Sequence, residues 1–173
     1  TLDYVKLFER AEDRGDPHAR TGNALSMLAN RLSYLLGFSG PSLTLDTACS
    51  SALVAVHLAC QSIRTGECEA ALVGGVHLNL NPEGQAILER EQVVATDGRS
   101  KAFDERANGF GRGEGAAVLL LKPLSAALLD GDAICGVIRG SAVNNDGHAK
   151  AGLAAPNPHA QRDCIAAAYE RSH

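Results

Sequence analysis

No tryptophan occurs in the 173 residues, and aromatic side chains make up only 4% of them. A chain so poor in flat rings offers no stacking platform for nucleic-acid bases. Runs of basic residues are missing too. Lys and Arg together number 16 against 20 Asp and Glu, a formal charge of −4, which argues against nucleic acid as the main partner. No apolar stretch approaches the ~20 residues that cross a bilayer, and no signal-peptide pattern is visible, so no membrane partner is expected. The five cysteines (Cys49, Cys60, Cys68, Cys135 and Cys164) form no CxxC pair and no zinc-like spacing, and no metal is expected. An odd, scattered set of thiols suits a reducing, cytoplasmic setting. The glycine-rich stretch from Ser100 to Gly115 lacks the G-x-x-x-x-G-K-[ST] of a phosphate loop, and Gly109-Phe110-Gly111-Arg112-Gly113-Glu114 does not fit G-x-G-x-x-G. A nucleotide site is not expected there.

What is present is an ordinary globular composition, 45% hydrophobic and 21% charged, long enough for one core. The chain opens at Thr1 and stops at His173 inside an apparent helix, which suggests a segment of something longer. Its pattern is organised around Pro41-Ser42-Leu43-Thr44-Leu45-Asp46-Thr47-Ala48-Cys49-Ser50-Ser51. Leu43 to Leu45 reads as a short buried strand. From Ser50 the pattern turns helical to about Arg64, with Leu53, Val56 and Cys60 on one face. Cys49 is thus expected where a strand gives way to a helix, with Ser50 or Ser51 as the helix cap. The first N–H groups of a helix lack intrahelical partners and its dipole end is positive, an environment that favours thiolate. Such a turn presents a sulfur to a substrate carbonyl, as a nucleophile elbow does. A lone cysteine is otherwise usually a small core hydrophobe.

Elsewhere the periodicity alternates helix and strand. Residues 1 to about 14 predict a short amphipathic helix with Tyr4, Val5, Leu7 and Phe8 on one side. Gly22 to Gly37 predicts a second helix closed by a left-handed glycine. Ala70 to Val76 reads as a strand covered on both faces, Asn81-Pro82-Glu83 as the start of a helix to about Glu91, and Thr96 to Arg99 as a turn. Ala116 to Leu121 is a further strand, with Arg112 and Glu114 before it as a structural ion pair. Pro123 to about Leu129 predicts a short helix, Ala133 to Asn144 a long strand, and His159 to about Arg171 a last helix. Together these give an α/β fold.

The letters around Cys49 carry more than the pattern. Asp46-Thr47-Ala48-Cys49-Ser50-Ser51-Ala52-Leu53-Val54-Ala55-Val56-His57-Leu58-Ala59 closely resembles the D-T-A-C-S-S-S-L-V-A-x-H-L-A signature of the β-ketoacyl synthase domains of modular type I polyketide synthases. Ala52 is the one mild departure. Five further blocks resemble that family in its order. They are G-N-x-x-S-x-x-A-x-R-[IL]-S-Y-x-L-G at Gly22 to Gly37 and A-L-V-G-G-V at Ala71 to Val76. K-x-F-D-x-x-A-x-G-[FY]-x-R-G-E-G follows at Lys101 to Gly115, then G-D-x-I-x-x-V-I-R-G-S-A-V-N-x-D-G at Gly131 to Gly147 with A-P-N-x-x-x-Q at Ala155 to Gln161. Ala154 in place of a common Thr, and Pro158-His159 in place of a small, glycine-containing pair, depart from the pattern.

The resemblance implies a thiolase-like layered αβαβα fold, here incomplete. Residues 1–122 would be part of the N-terminal half carrying the nucleophile, and 123–173 the start of the C-terminal half. It implies Cys49 as nucleophile, taking an acyl group from the phosphopantetheine arm of an acyl carrier protein, with the Cys49 backbone N–H in the oxyanion hole. Decarboxylation of a malonyl unit on a second carrier would then extend the chain by two carbons. No cofactor of its own is implied. The implied partners are acyl carrier protein, an acyltransferase and other synthase domains, with homodimerisation of the intact domain. The family's two catalytic histidines stand in H-G-T-G-T and N-x-G-H blocks, and neither block occurs here. None of His18, His57, His77, His148, His159 and His173 has the right context. His57 is expected to be packed and hydrogen-bonded, and His77 to have no catalytic role. The missing blocks would follow residue 173, so the 173 residues alone are expected not to condense anything. Three readings stand beside this one: a non-condensing acyl transferase, an unrelated cysteine hydrolase (for which the papain-like C-G-[SA]-C-[WY] context is absent), and a non-catalytic partner-binding subunit, in which Cys49 should be replaced. The acyl chain, the module and the final product are not legible.

Overall fold

A computed structural model describes residues 16–172. The helix expected over residues 1 to about 14 lies outside them. The described elements are α1 (Ala19–Asn23), α2 (Ser26–Leu36), a 3-10 turn (Ala48–Ser50) running into α3 (Ser51–Arg64), β1 (Ala71–His77), α4 (Pro82–Arg90), β2 (Gly115–Leu121), α5 (Leu124–Leu129) and α6 (Pro158–Glu170). β1 and β2 are neighbours in a two-stranded sheet. The mixed α/β character expected from the pattern is present. The chain divides into two compact units. One holds the described residues of Thr1–Thr44 with Gly74–Ala117; the other holds Leu45–Val73 with those of Val118–His173.

In the first unit, Ala24 is extended (φ −69°, ψ 124°) and splits the expected helix into α1 and α2. The break is spanned by the Arg31 side chain, which donates to Thr21 O at 3.2 Å. α2 ends as expected at Gly37, whose φ of 70° is the left-handed stop; Phe38 N–H reaches back to Ser33 O at 2.8 Å. α4 begins with Asn81 as its cap, the side chain accepting from Glu83 N–H, and with Pro82 in the first turn. Pro supplies the fixed φ and lacks only an N–H that would be orphaned anyway.

The glycine-rich loop has a steric purpose. Val94 and Phe110 form an isolated parallel bridge, and Ala95 N–H donates to Phe110 O at 2.9 Å. Gly109 has φ 131°, and a Cβ there would stand 2.5 Å from Ala95 N and from Val94 C. The glycine thus lets two backbones touch. The same loop is tied by Lys101, which pairs with Asp97 at 2.8 Å and donates to Asn108 at 2.6 Å. The Arg106 side chain and its backbone N–H both hold the Asp104 carboxyl, bringing its pKa down from 3.8 to about 2. A depressed carboxylate contributes stability that is full above its ordinary value and lost as pH falls through about 2. An NMR titration of the Asp104 carboxyl should therefore have its midpoint near 2, moving up in Arg106→Gln; a midpoint near 3.8 would show the pair is not made.

In the second unit, two expected strands are not strands. Leu43–Leu45 (Leu45 alone in this unit) and residues 133–144 carry no ladder. A strand is completed only by a hydrogen-bonded neighbour, and neither segment has one among the described residues. Residues 141–144 are instead held by side chains. His57 Nδ1 lies 2.8 Å from Ser141 Oγ, Arg171 donates to Ser141 O at 3.2 Å, Cys164 Sγ contacts Ala142 O at 3.5 Å, and Asn144 Nδ2 donates to Ala160 O at 2.7 Å. α6 starts on Asn157, whose Oδ1 accepts from His159 and Ala160 N–H, with Pro158 in the first turn. Lys122 pairs with Asp130 and, at 2.8 Å, with Asp132, closing the loop around α5.

Burial is sparse. Among the described residues the buried apolar side chains are Val73, Ala95 and Ala127. β1 was expected to be covered on both faces, yet Val73 is its one buried residue. Leu53, in the helical spacing with Val56 and Cys60 on α3, is 77% exposed.

Candidate active site

Cys49 is exposed and lies in the 3-10 turn that leads into α3. The local chain explains how it is presented. Ala48 has φ 55°, a left-handed conformation that a Cβ disfavours. Side chains hold it there. Asp46 Oδ1 accepts from Ala48 N–H at 3.0 Å, the side chain-to-backbone turn that Asp makes two residues ahead. Ser51 Oγ accepts from Thr47 N–H at 2.9 Å and donates to Ala48 O at 2.7 Å. Ser50 Oγ donates to Thr47 O at 2.8 Å and lies 2.9 Å from Thr47 Oγ1.

The expected capping role of the serines is corrected by this geometry. Ser50 makes no side-chain cap bond, and both hydroxyls turn back to Thr47 and Ala48. They brace the turn instead of the helix. The turn's first bond runs from Ser50 N–H to Thr47 O, which leaves the Cys49 N–H without an intrahelical acceptor. Cys49 therefore offers a thiol and an open N–H on one short, strained turn.

In the sequence, Asp46 is visible only as a letter of the signature, and Ser51 only as such a letter and as a candidate helix cap. The spacing of Asp46 to Ala48 is the signal for the turn. Asp46→Ala should cost about 1 kcal/mol locally and change the rate at which iodoacetamide alkylates Cys49 several-fold, with Asp46→Asn staying close to the wild-type rate. Alkylation kinetics measure this; equal rates in wild type and Asp46→Ala would show that the brace does not position the thiol.

Two of the six histidines have side-chain contacts through their rings. His57 is half-buried and paired with Ser141, as expected of a packed residue. His77 Nε2 contacts Asn79 Oδ1 at 3.2 Å on the surface. The expected Arg112–Glu114 ion pair is not made. Glu114 Oε1 accepts from Asn79 N–H at 2.6 Å, while Arg112 donates to Gln85 Oε1 at 3.3 Å. A backbone N–H nearer to hand takes the carboxylate, and the guanidinium turns away. Among the described residues no group of three or more His, Cys, Asp or Glu is arranged to hold a metal, and no helix is long and apolar enough to cross a membrane.

An exposed cysteine on a strained turn that leads into a helix is an arrangement suited to nucleophilic chemistry, and the comparisons give the family. Residues 2–127 match the β-ketoacyl synthase N-terminal domain and residues 135–173 its C-terminal domain. The chain belongs to the β-ketoacyl synthase family, as a ketosynthase-domain segment of the type I polyketide synthase kind. It is 49% identical over 172 residues to the highly reducing polyketide synthase ausV of Aspergillus calidoustus, covering 99% of this chain and 7% of that protein. It is 49% identical over 164 residues to a phenolphthiocerol/phthiocerol polyketide synthase of Mycobacterium tuberculosis, covering 95% of this chain and 11% of that one. Among solved structures it is similar to the oxazolomycin ketosynthase domain OzmH KS7 of Streptomyces albus JA3453. The TM-score is 0.84 at 45% identity, over 87% of this chain and 27% of that chain. The module 6 ketosynthase of the bacillaene synthase from Bacillus subtilis 168 gives TM-score 0.83 at 45% identity, over 86% and 26%. The chain thus spans about a quarter of these solved ketosynthases and a smaller share of the curated relatives.

Proposed function

We propose that this chain supplies the acyl-accepting thiol of a decarboxylating ketosynthase. The observation that carries the reading is the exposed Cys49 on its braced turn at the start of α3. In the proposed reaction the Cys49 sulfur attacks the thioester carbonyl of an acyl group carried on the phosphopantetheine of an acyl carrier protein. The Cys49 N–H, with a second donor, stabilises the tetrahedral oxyanion. The carrier thiol leaves and takes a proton, and the acyl group stays on Cys49. A malonyl or substituted malonyl thioester then loses CO2. Its enolate carbon attacks the Cys49 thioester, the C–S bond breaks, and the product is two backbone carbons longer. No histidine of this chain is assigned to that second step.

Cys49 is placed in the N-terminal half of the domain, residues 1–122, with 123–173 opening the C-terminal half. The change of matched family model between residues 127 and 135 supports such a division. A thiolase-like layered fold would be completed by the rest of the domain. The bare apolar faces support that: Leu35 on α2 is 69% exposed and Leu120 on β2 is 68% exposed. Apolar surface left in water forgoes roughly 25 cal/mol per Å². The partners proposed are acyl carrier protein, an acyltransferase and other synthase domains, with a second copy of the domain.

The test is made on the intact domain carrying this sequence. Loaded with an acyl thioester and then given malonyl carrier protein, it should release CO2 and a product two carbons longer. Loading without extension would replace condensation by plain acyl transfer. No loading at all would leave only a partner-binding role and overturn the proposal.

A further inference from the structure

A recess of about 370 Å³ opens beside the start of α4, lined by Asn79, Leu80, Asn81, Pro82, Gln85 and Arg112, far in sequence from the Cys49 turn. We propose that this recess binds a carboxylate. Three features line it that favour an anion: an unsatisfied amide, a guanidinium without an ion-pair partner among the described residues, and a helix N-terminus.

The first is Asn81, only 7% exposed. Its Oδ1 is fixed as the cap of α4 by Glu83 N–H at 2.9 Å, so the amide cannot be turned over and its other atom must be the NH2 group. That buried Nδ2 has no hydrogen-bond partner among the described residues. Buried donors are normally satisfied, and one that is not calls for an explanation.

The second is Arg112. Its guanidinium makes a single hydrogen bond, to the neutral Gln85 Oε1, and forms no ion pair among the described residues. Glu114, its expected partner, is turned to Asn79 N–H. Arg112 Nη2 lies over the first turn of α4, 3.7 Å from where a Cβ on Gly84 would be.

The third is the helix itself. α4 is nine residues long, and its N-terminus carries partial positive charge. A guanidinium over that end is repelled unless an anion sits between them. Glu83, the acidic residue of the turn, has a partner of its own.

The ligand's chemistry follows from the donors. A cation is excluded by Arg112 and the helix end. The planar guanidinium fork and an amide NH2 match the planar, singly charged carboxylate, and Leu80 with Pro82 gives an apolar wall for the carbon attached to it. The carboxylate comes either from an acidic side chain of the surrounding polypeptide or from a small free acid.

A crystal structure of the intact ketosynthase domain, grown without carboxylate, phosphate or sulfate additives, separates the sources, together with Asn81→Asp. That variant keeps the helix cap, since Asp caps as well as Asn, but replaces the NH2 donor by negative charge. An Asp or Glu oxygen within hydrogen-bond distance of Asn81 Nδ2 and Arg112 identifies a polypeptide source, and Asn81→Asp should then lower the Tm by several degrees. A recess free of protein carboxylate, with acetate at constant ionic strength raising the Tm of wild type but not of Asn81→Asp, identifies a free acid. An apolar side chain or water alone in the recess, with acetate acting no differently from chloride, overturns the proposal. So does binding of phosphate without binding of acetate. None of these readouts involves Cys49, so the inference stands or falls apart from the acyl-transfer reading.

Discussion

Cys49→Ala in the intact domain should abolish covalent acyl loading, a loss of about 10³-fold or more of the kind that follows removal of a nucleophile. The fold should hardly notice. Cys49 is exposed, so the substitution removes no buried contact, and surface changes of this kind stay within about 0.5 kcal/mol. Cys135 supplies the internal control. It is also an exposed free thiol, but it lies in the 133–144 segment, which forms neither helix nor strand. Cys135→Ala should load at the wild-type rate. Loading kinetics with an acyl thioester, read beside a thermal melt of each variant, separate chemistry from stability. Loss of loading in both variants, or in neither, would remove the special status of Cys49.

The second large effect concerns stability. Gly109→Ala should cost about 3 kcal/mol or more, combining an unfavourable positive φ with overpacking against backbone. The new Cβ would stand 2.5 Å from Ala95 N and Val94 C, atoms tied in the Val94–Phe110 bridge and unable to swing aside as a side chain can. For a domain of 150–250 residues that corresponds to a Tm lower by roughly 6–12 °C, less if the cooperative unit is larger. Gly113, further along the same loop, has nothing within 4 Å of where a methyl group would stand and no positive φ; Gly113→Ala should leave the Tm within a degree or two. Similar melts for the two variants would contradict the close approach at Gly109.

The elements legible in the sequence are those specified by neighbouring residues. Asn81-Pro82 announces α4 because cap and first turn lie within three residues; Asn157-Pro158 carries the same signal for α6, although that helix is expected only from about His159. Gly37 announces the end of α2 for the same reason. Leu43–Leu45 and residues 133–144 have the pattern of strands without being strands, because a strand depends on a neighbour that can come from anywhere in the chain, and pattern alone does not supply it. Charge and spacing pair Arg112 with Glu114, whereas the loop brings Asn79 N–H to Glu114 and Gln85 to Arg112. At the site, the signature points to Cys49 and its family. It does not reveal the strained Ala48, or the use of Ser50 and Ser51 as braces, because a left-handed residue and a hydroxyl's choice of acceptor are set by three-dimensional closure of the turn.

The most direct measurement is peptide mapping by mass spectrometry of the intact domain after incubation with an acyl carrier protein bearing a labelled acyl group. The account predicts the acyl mass on the peptide containing Cys49, labile to hydroxylamine as a thioester is, and on no peptide containing Cys60, Cys68, Cys135 or Cys164. A stable adduct on one of those four, with Cys49 unmodified, would contradict it.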